Sequence, residues 1–132
     1  MIEATPEKVC IRKDEKLLSC VNHFQTSELQ DKNRSAINGS VKRNNYLQSF
    51  QGKKRTQQEM FSIFAKKNSP VFFQNYDQLF GTLHTFSYSF QESRILTSLA
   101  QGKEVLDFNF HNWTNGADLA SKKMTGYIET IN

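Results

Sequence analysis

Hydrophobic and polar positions along this chain follow three different rhythms. Near the N-terminus, Lys8-Val9-Cys10-Ile11-Arg12-Lys13 and the stretch from Lys16 to Phe24 are short apolar and β-branched runs. They are separated by Asp14-Glu15 and followed by a polar run from Gln25 to Gly39. That pattern predicts two strands in an antiparallel hairpin turning at Glu15. In this register Val9 faces Val21, Ile11 faces Ser19 and Cys10 faces Cys20. Val9, Ile11, Leu17 and Val21 then share one face, and Cys10, Leu18, Cys20 and Asn22 the other. Both faces carry residues of buried type, so the pattern implies a sheet covered on both sides.

The middle of the chain changes to a helical period. Residues 25 to 39 read as a long polar loop with a turn at Asn38-Gly39, after which Ser40 caps a helix running to about Phe50. Arg43, Tyr46, Leu47 and Phe50 fall near one face of it, and Gly52 ends it. Thr56-Gln57-Gln58-Glu59 has the form of a capping box, which opens a second helix with Met60, Ile63 and Phe64 as its apolar stripe. Lys66 and Lys67 suit its negative C-terminal end, and Pro70 stops it. From Thr82 the period returns to two. Thr82 to Phe90, Arg94 to Ala100 and a segment after Gly102 read as three strands, the last with Leu106, Phe108 and Phe110 on one face and Asp107, Asn109 and His111 on the other. Asn115-Gly116 marks a turn, and residues 117 to 131 fit either a frayed helix or an extended tail.

Composition narrows this picture only a little. At 132 residues the chain is expected to form a single domain that buries roughly two-thirds of the surface its unfolded form exposes. No signal peptide and no apolar run of spanning length is present, so the expectation is a cytoplasmic protein with no membrane partner. Two cysteines in such a setting read as buried free thiols rather than a disulfide. The net charge of +4 invites a nucleic-acid reading. The basic residues, however, are scattered apart from Lys42-Arg43 and Lys53-Lys54-Arg55, with no aromatic recognition signature, so a solvated surface accounts for them better.

The residue types that carry chemistry do not assemble into a motif on their own. In a strand, Cys20 and His23 project from opposite faces, which argues against a thiol-imidazole dyad. Cys10, Cys20, His23, His84 and His111 lack the close ligand pairs of a metal site. There is no glycine-rich phosphate loop and no nucleophile elbow, so no cofactor is implied. The residues alone lead as far as an α+β domain with antiparallel sheets and two or more helices.

The order of several short motifs leads further. Glu3-Ala4-Thr5-Pro6, Val9, Arg12, Asn22-His23-Phe24, Ser40-x-x-Arg43, Thr82-Leu83-x-Thr85 with Tyr88, and the Arg94-to-Ala100 strand followed by Gly102 resemble the C-terminal half of an N-terminal-nucleophile hydrolase. The family is that of the acyl-coenzyme A:isopenicillin-N acyltransferase-like autoproteolytic cysteine peptidases, similar to choloylglycine hydrolases and penicillin V acylases. The resemblance covers residues 2 to about 110 and is most specific at Asn22-His23-Phe24 and Ser40-x-x-Arg43. It implies part of an αββα sandwich and a small amide or acyl substrate whose linear amide C–N bond is cleaved or whose acyl group is transferred. In that family the nucleophile is a cysteine at a mature N-terminus, whose own α-amine has an ordinary pKa near 8 and serves as base.

Carried over by position, Asn22 is the side-chain donor to the oxyanion and Arg43 the guanidinium near the nucleophile. Where the family usually has Thr before that Asn, this chain has Val21, which removes one local hydroxyl hydrogen bond. The family's nucleophilic cysteine belongs to an N-terminal half that these residues do not match, and neither Cys10 nor Cys20 corresponds to it. The expectation is therefore a C-terminal part, truncated or split, that is inactive alone and associates with the missing N-terminal half or with itself. Two rival readings are a non-catalytic binding or regulatory module that retains the scaffold and, more weakly, a basic nucleic-acid-binding domain.

Overall fold

Thr5 and Pro6 decide the first element. The Thr5 hydroxyl oxygen accepts from the amides of Glu7 (3.3 Å) and Lys8 (3.1 Å), and the Thr5 amide donates to the Lys8 carbonyl (2.8 Å), which makes a tight reversal around Pro6. The computed structural model, which describes residues 1–13, 16–35 and 37–129, accordingly pairs strand β1 (Ile2–Ala4) with β2 (Val9–Ile11). Their antiparallel register sets Ile2 against Ile11, Glu3 against Cys10 and Ala4 against Val9.

This replaces the expected hairpin. Residues 16 to 24 form no strand, and the turn expected at Glu15 lies outside the described residues. Cys10 therefore sits across from Glu3 instead of Cys20, and both cysteines are free thiols, Cys10 buried and Cys20 exposed against expectation. The two-sided burial also fails, because Cys10 faces inward while Val9 and Ile11 are 63% and 60% exposed.

The chain forms two compact units, Met1–Lys54 and a second from Arg55 onward. In the first, the polar run after Phe24 contains a 3-10 segment, Ser27–Lys32, which buries Leu29. Helix α1 spans Asn38–Gln48. Asn38 and Gly39 are thus its opening residues, and Ser40 lies inside it, buried, where a cap was expected. The residue at the cap position is Ile37, which supplies no side-chain acceptor. Hydrogen-bonded turns continue past the helix to Gly52, whose φ of 77° is the left-handed value that glycine tolerates best.

The second unit follows the sequence pattern closely. Helix α2 (Gln57–Ala65) begins with the capping box, the Thr56 hydroxyl accepting from the Glu59 amide while the Glu59 carboxylate accepts from the Thr56 amide. The residue it buries most deeply is Phe61, at 3% exposure, with Met60, Ile63 and Phe64 half-buried beside it. Two short strands, β3 (Gln74–Asn75) and β4 (Phe80–Gly81), clasp a 3-10 turn at Tyr76–Gln78. A β-carbon on Gly81 would come within 2.0 Å of the buried Tyr76 ring, whose hydroxyl donates to the Thr82 carbonyl (2.8 Å). Gly81→Ala is therefore expected to lower stability by about 1–3 kcal/mol through overpacking, read as a drop in the thermal midpoint.

Strands β5 (His84–Ser89), β6 (Arg94–Leu99) and β7 (Leu106–Asn109) form an antiparallel sheet in that order. α2 lies across β5 and β6, with the Gln57 amide donating to the Arg94 carbonyl (2.9 Å) and the Thr85 hydroxyl to the Phe64 carbonyl (3.5 Å). Residues 85, 87, 96 and 98 are on neighbouring register positions of one face, and Leu96 is wholly buried there. β7 stops short of the expected Phe110 and His111, which open helix α3 (Phe110–Thr114). The Asn109 side chain caps that helix by accepting from the Asn112 amide (2.8 Å), which ends the strand. Residues 117 to 129 form neither helix nor strand, and the remainder of the expected segment, to 131, lies outside the described residues. The class is α+β with antiparallel sheets, as expected.

Candidate functional site

The stretch from Ser19 to Thr26 in the first unit has no ladder partner, so its polar backbone groups need side chains to satisfy them. One set comes from the first hairpin. The Glu3 carboxylate, only 8% exposed, accepts from the Gln25 amide (3.0 Å), the Thr26 amide (2.8 Å) and the Thr26 hydroxyl, and Arg12 lies 3.7 Å from it. A second comes from Asn33, whose carboxamide imitates a strand neighbour. Its Oδ1 accepts from the Phe24 amide (2.7 Å) and its Nδ2 donates to the Phe24 carbonyl (3.0 Å).

The side chains of the same stretch meet a polar face of α1. Ser40, Arg43, Asn44 and Gln48 recur at the three- and four-residue spacing that places side chains on one side of a helix. Gln48 Nε2 donates to Ser19 Oγ (2.8 Å), and Ser19 Oγ donates to Asn44 Oδ1 (2.7 Å). Ser40 Oγ lies 2.8 Å from His23 Nδ1, and Arg43 Nη2 donates to Asn22 Oδ1 (3.1 Å). The two motifs Asn22-His23-Phe24 and Ser40-x-x-Arg43 are thus brought together by a pair of neighbouring hydrogen bonds.

The Arg43 contact orients the Asn22 carboxamide. A guanidinium only donates, so the atom facing it must be the oxygen, and the Asn22 NH2 group points away from Arg43. That NH2 group has no hydrogen-bond partner among the described residues, and the side chain is exposed. Partial burial lowers the Arg43 pKa from its ordinary value, and the group remains a cation at neutral pH.

The wall formed by residues 23 to 25 separates two open depressions. The one of about 530 Å³ is lined by Asn22 together with Glu3, Cys20, Val21 and Arg34. The larger, about 640 Å³, lies on the side of Gln30, Asn44 and Gln48 and does not include Asn22. Asn22 thus lines the smaller depression while its carboxamide oxygen is held by Arg43. Neither cysteine is placed as an N-terminal nucleophile: Cys10 lies inside β2, and Cys20 is flanked by peptide bonds on both sides. Among the described residues no three of His, Cys, Asp and Glu gather as a metal site. No helix there is long and apolar enough to cross a membrane.

Ser19, Asn44, Gln48 and Asn33 were not singled out from the sequence. The signal that could have found the helix-borne ones is the polar repeat at 40, 44 and 48, which is hidden when only apolar stripes are sought.

Comparison with known proteins gives a family match. Residues 1–104 match the model of the family acyl-coenzyme A:6-aminopenicillanic acid acyl-transferase, a span that includes both site motifs and every strand through β6. No curated protein and no solved structure matches the chain. Spanning most of the sequence and both halves of the site, that match shows that the chain belongs to the acyl-coenzyme A:6-aminopenicillanic acid acyl-transferase family.

Proposed function

We propose that this chain is a C-terminal part of a linear amide C–N hydrolase or acyltransferase, in which Asn22 donates to the oxyanion and Arg43 holds and polarises it. The family's name supports an acyl group and an aminopenicillanic amine as the kind of reactants involved. The observation that carries the reading is the 3.1 Å bond from Arg43 to Asn22 Oδ1, which leaves an unpartnered amide NH2 beside an open depression.

The chemistry needs a thiolate from residues outside these 132. Its sulfur attacks the carbonyl carbon, a C–S bond forms, and the carbonyl π pair moves to oxygen, where the Asn22 NH2 stabilises it. Collapse of this intermediate breaks the C–N bond as the nucleophile's α-ammonium gives the nitrogen the proton taken from the thiol, and the resulting thioester passes its acyl group to water or a second amine, which frees the thiol again. Arg43 contributes in two ways. Its donation to Oδ1 polarises the carboxamide, making the Nδ2 protons better donors, and its charge favours the thiolate over the thiol.

The partner is the cysteine-bearing half of the fold or, failing that, a second copy of this chain. Phe86 and Phe90, which are 57% and 86% exposed on the β5 strand and its turn, supply apolar surface for such association. The purified chain alone is expected to leave penicillin V and N-acyl amino acids intact, and to gain amide-cleaving activity when the cysteine-bearing polypeptide is added. Turnover by the chain alone would refute the division of labour.

A further inference from the structure

His23 borders both depressions, and its Nε2 makes no hydrogen bond among the described residues, so it has the look of an acid or base awaiting substrate. Its other nitrogen tells a different story. Nδ1 is engaged with Ser40 Oγ at 2.8 Å, and Ser40 is 6% exposed, so this hydroxyl would lose its side-chain partner in a buried place without the imidazole.

We propose that His23 is a positioning residue acting through Ser40: their bond fixes the first turns of α1 against residues 22–24 and so delivers Arg43 to the Asn22 carboxamide. The catalytic consequence rests on the oxyanion role of Asn22 given above, whereas the coupling between the two hydrogen bonds does not.

The spacing supports it. Adjacent residues 22 and 23 have Cα atoms about 3.8 Å apart. Ser40 and Arg43, three residues apart on a helix, differ by about 4.5 Å along its axis. Two contacts can therefore cross side by side, 23 to 40 and 22 to 43, with the helix running opposite to the segment. Asn44 and Gln48 hold the later turns of α1 on Ser19, and the 23-to-40 contact is the one that fixes its first turns. The long Arg43 side chain has many rotamers, so on its own it places the Asn22 oxygen poorly. The short Ser40 and the rigid imidazole have few, and they supply the fixed point from which Arg43 reaches.

The test exploits where a carboxamide can imitate an imidazole nitrogen. In His23→Asn the side-chain oxygen occupies the place of Nδ1, and in His23→Gln it occupies that of Nε2. With the complete 132-residue chain labelled with nitrogen-15, the Asn22 side-chain NH2 resonances are expected to stay at their wild-type positions in His23→Asn and Ser40→Thr. They are expected to move in His23→Gln and Ser40→Ala. An unmoved Asn22 amide in Ser40→Ala, or a His23→Gln variant indistinguishable from wild type, overturns the proposal. Should Ser40→Ala and His23→Gln fail to fold, His23→Asn still decides, because a displaced Asn22 amide in that variant overturns it.

In an enzyme reconstituted with the cysteine-bearing polypeptide, His23→Gln lowers kcat with KM unchanged, and His23→Asn restores it. A base acting through Nε2 gives the reverse order. If the resonances behave as expected but Asn22→Ala leaves kcat intact, the oxyanion reading fails while the coupling stands.

Discussion

Asn22→Ala is expected to lower kcat of the assembled enzyme by about 10²–10³-fold while leaving KM nearly unchanged. The reason is the timing of the charge. In the bound amide the carbonyl oxygen is only weakly negative, and the Asn22 NH2 can remain hydrated at the mouth of its depression. In the tetrahedral intermediate that oxygen carries a full charge, and a donor already aimed by Arg43 need not reorganise to meet it. An interaction made only then affects turnover and not ground-state binding. Asn22→Asp should be at least as damaging, since it replaces the donor with an anion facing an anion. Steady-state kinetics on a chromogenic anilide separates kcat from KM. A KM rise with unchanged kcat would recast Asn22 as a substrate-binding group.

The second large effect falls on stability and comes from Glu3. Burial by itself would raise this carboxyl's pKa, but the Thr26 hydroxyl, the Thr26 and Gln25 amides and Arg12 together outweigh it and hold the pKa below its ordinary value. Unfolding removes those partners, and the pKa returns upward. The ionised Glu3 therefore stabilises the fold fully above the ordinary carboxylate pKa, and this contribution disappears as pH falls through the lowered folded value. Glu3→Gln keeps one acceptor oxygen but turns an NH2 group toward donors, which should cost about 3 kcal/mol near neutral pH. The wild-type advantage in urea midpoint is expected to be constant above about pH 6 and to shrink in acid. Other carboxylates with lowered pKa values, such as Asp107 beside Arg94, are present in both proteins and cancel in the difference. A difference that does not change with pH would mean that Glu3 acts by shape and not by charge.

The contrast between the two units shows what a sequence makes legible. α2 was readable because its start is a local signal, Thr56 with Glu59, and its stripe is apolar. β5, β6 and β7 were readable because each alternates over several residues and pairs with its neighbour in sequence. The first unit departs from the sequence pattern because its central wall carries the composition of a strand without a strand's partners. Side chains of Glu3 and Asn33 do the work of a ladder there, and these contacts join residues 9 to 23 positions apart with no periodic trace. The Thr5-Pro6 reversal took β2 away from that wall and gave it to β1.

The site followed the same division. Asn22 and Arg43 stood out through the order of family motifs, whereas their contact depends on α1 starting at Asn38 and carrying a polar face, which an apolar-stripe search passes over. The Arg43 guanidinium fixes which way the Asn22 carboxamide points.

The most direct measurement follows the Asn22 side-chain amide by NMR in the assembled enzyme as an aldehyde analogue of the acyl group forms a tetrahedral hemithioacetal with the cysteine. One Asn22 Nδ2 proton is predicted to move downfield with the adduct and to stay in place with the corresponding uncleavable amide. An amide signal that ignores the adduct would contradict the assignment of Asn22 to the oxyanion.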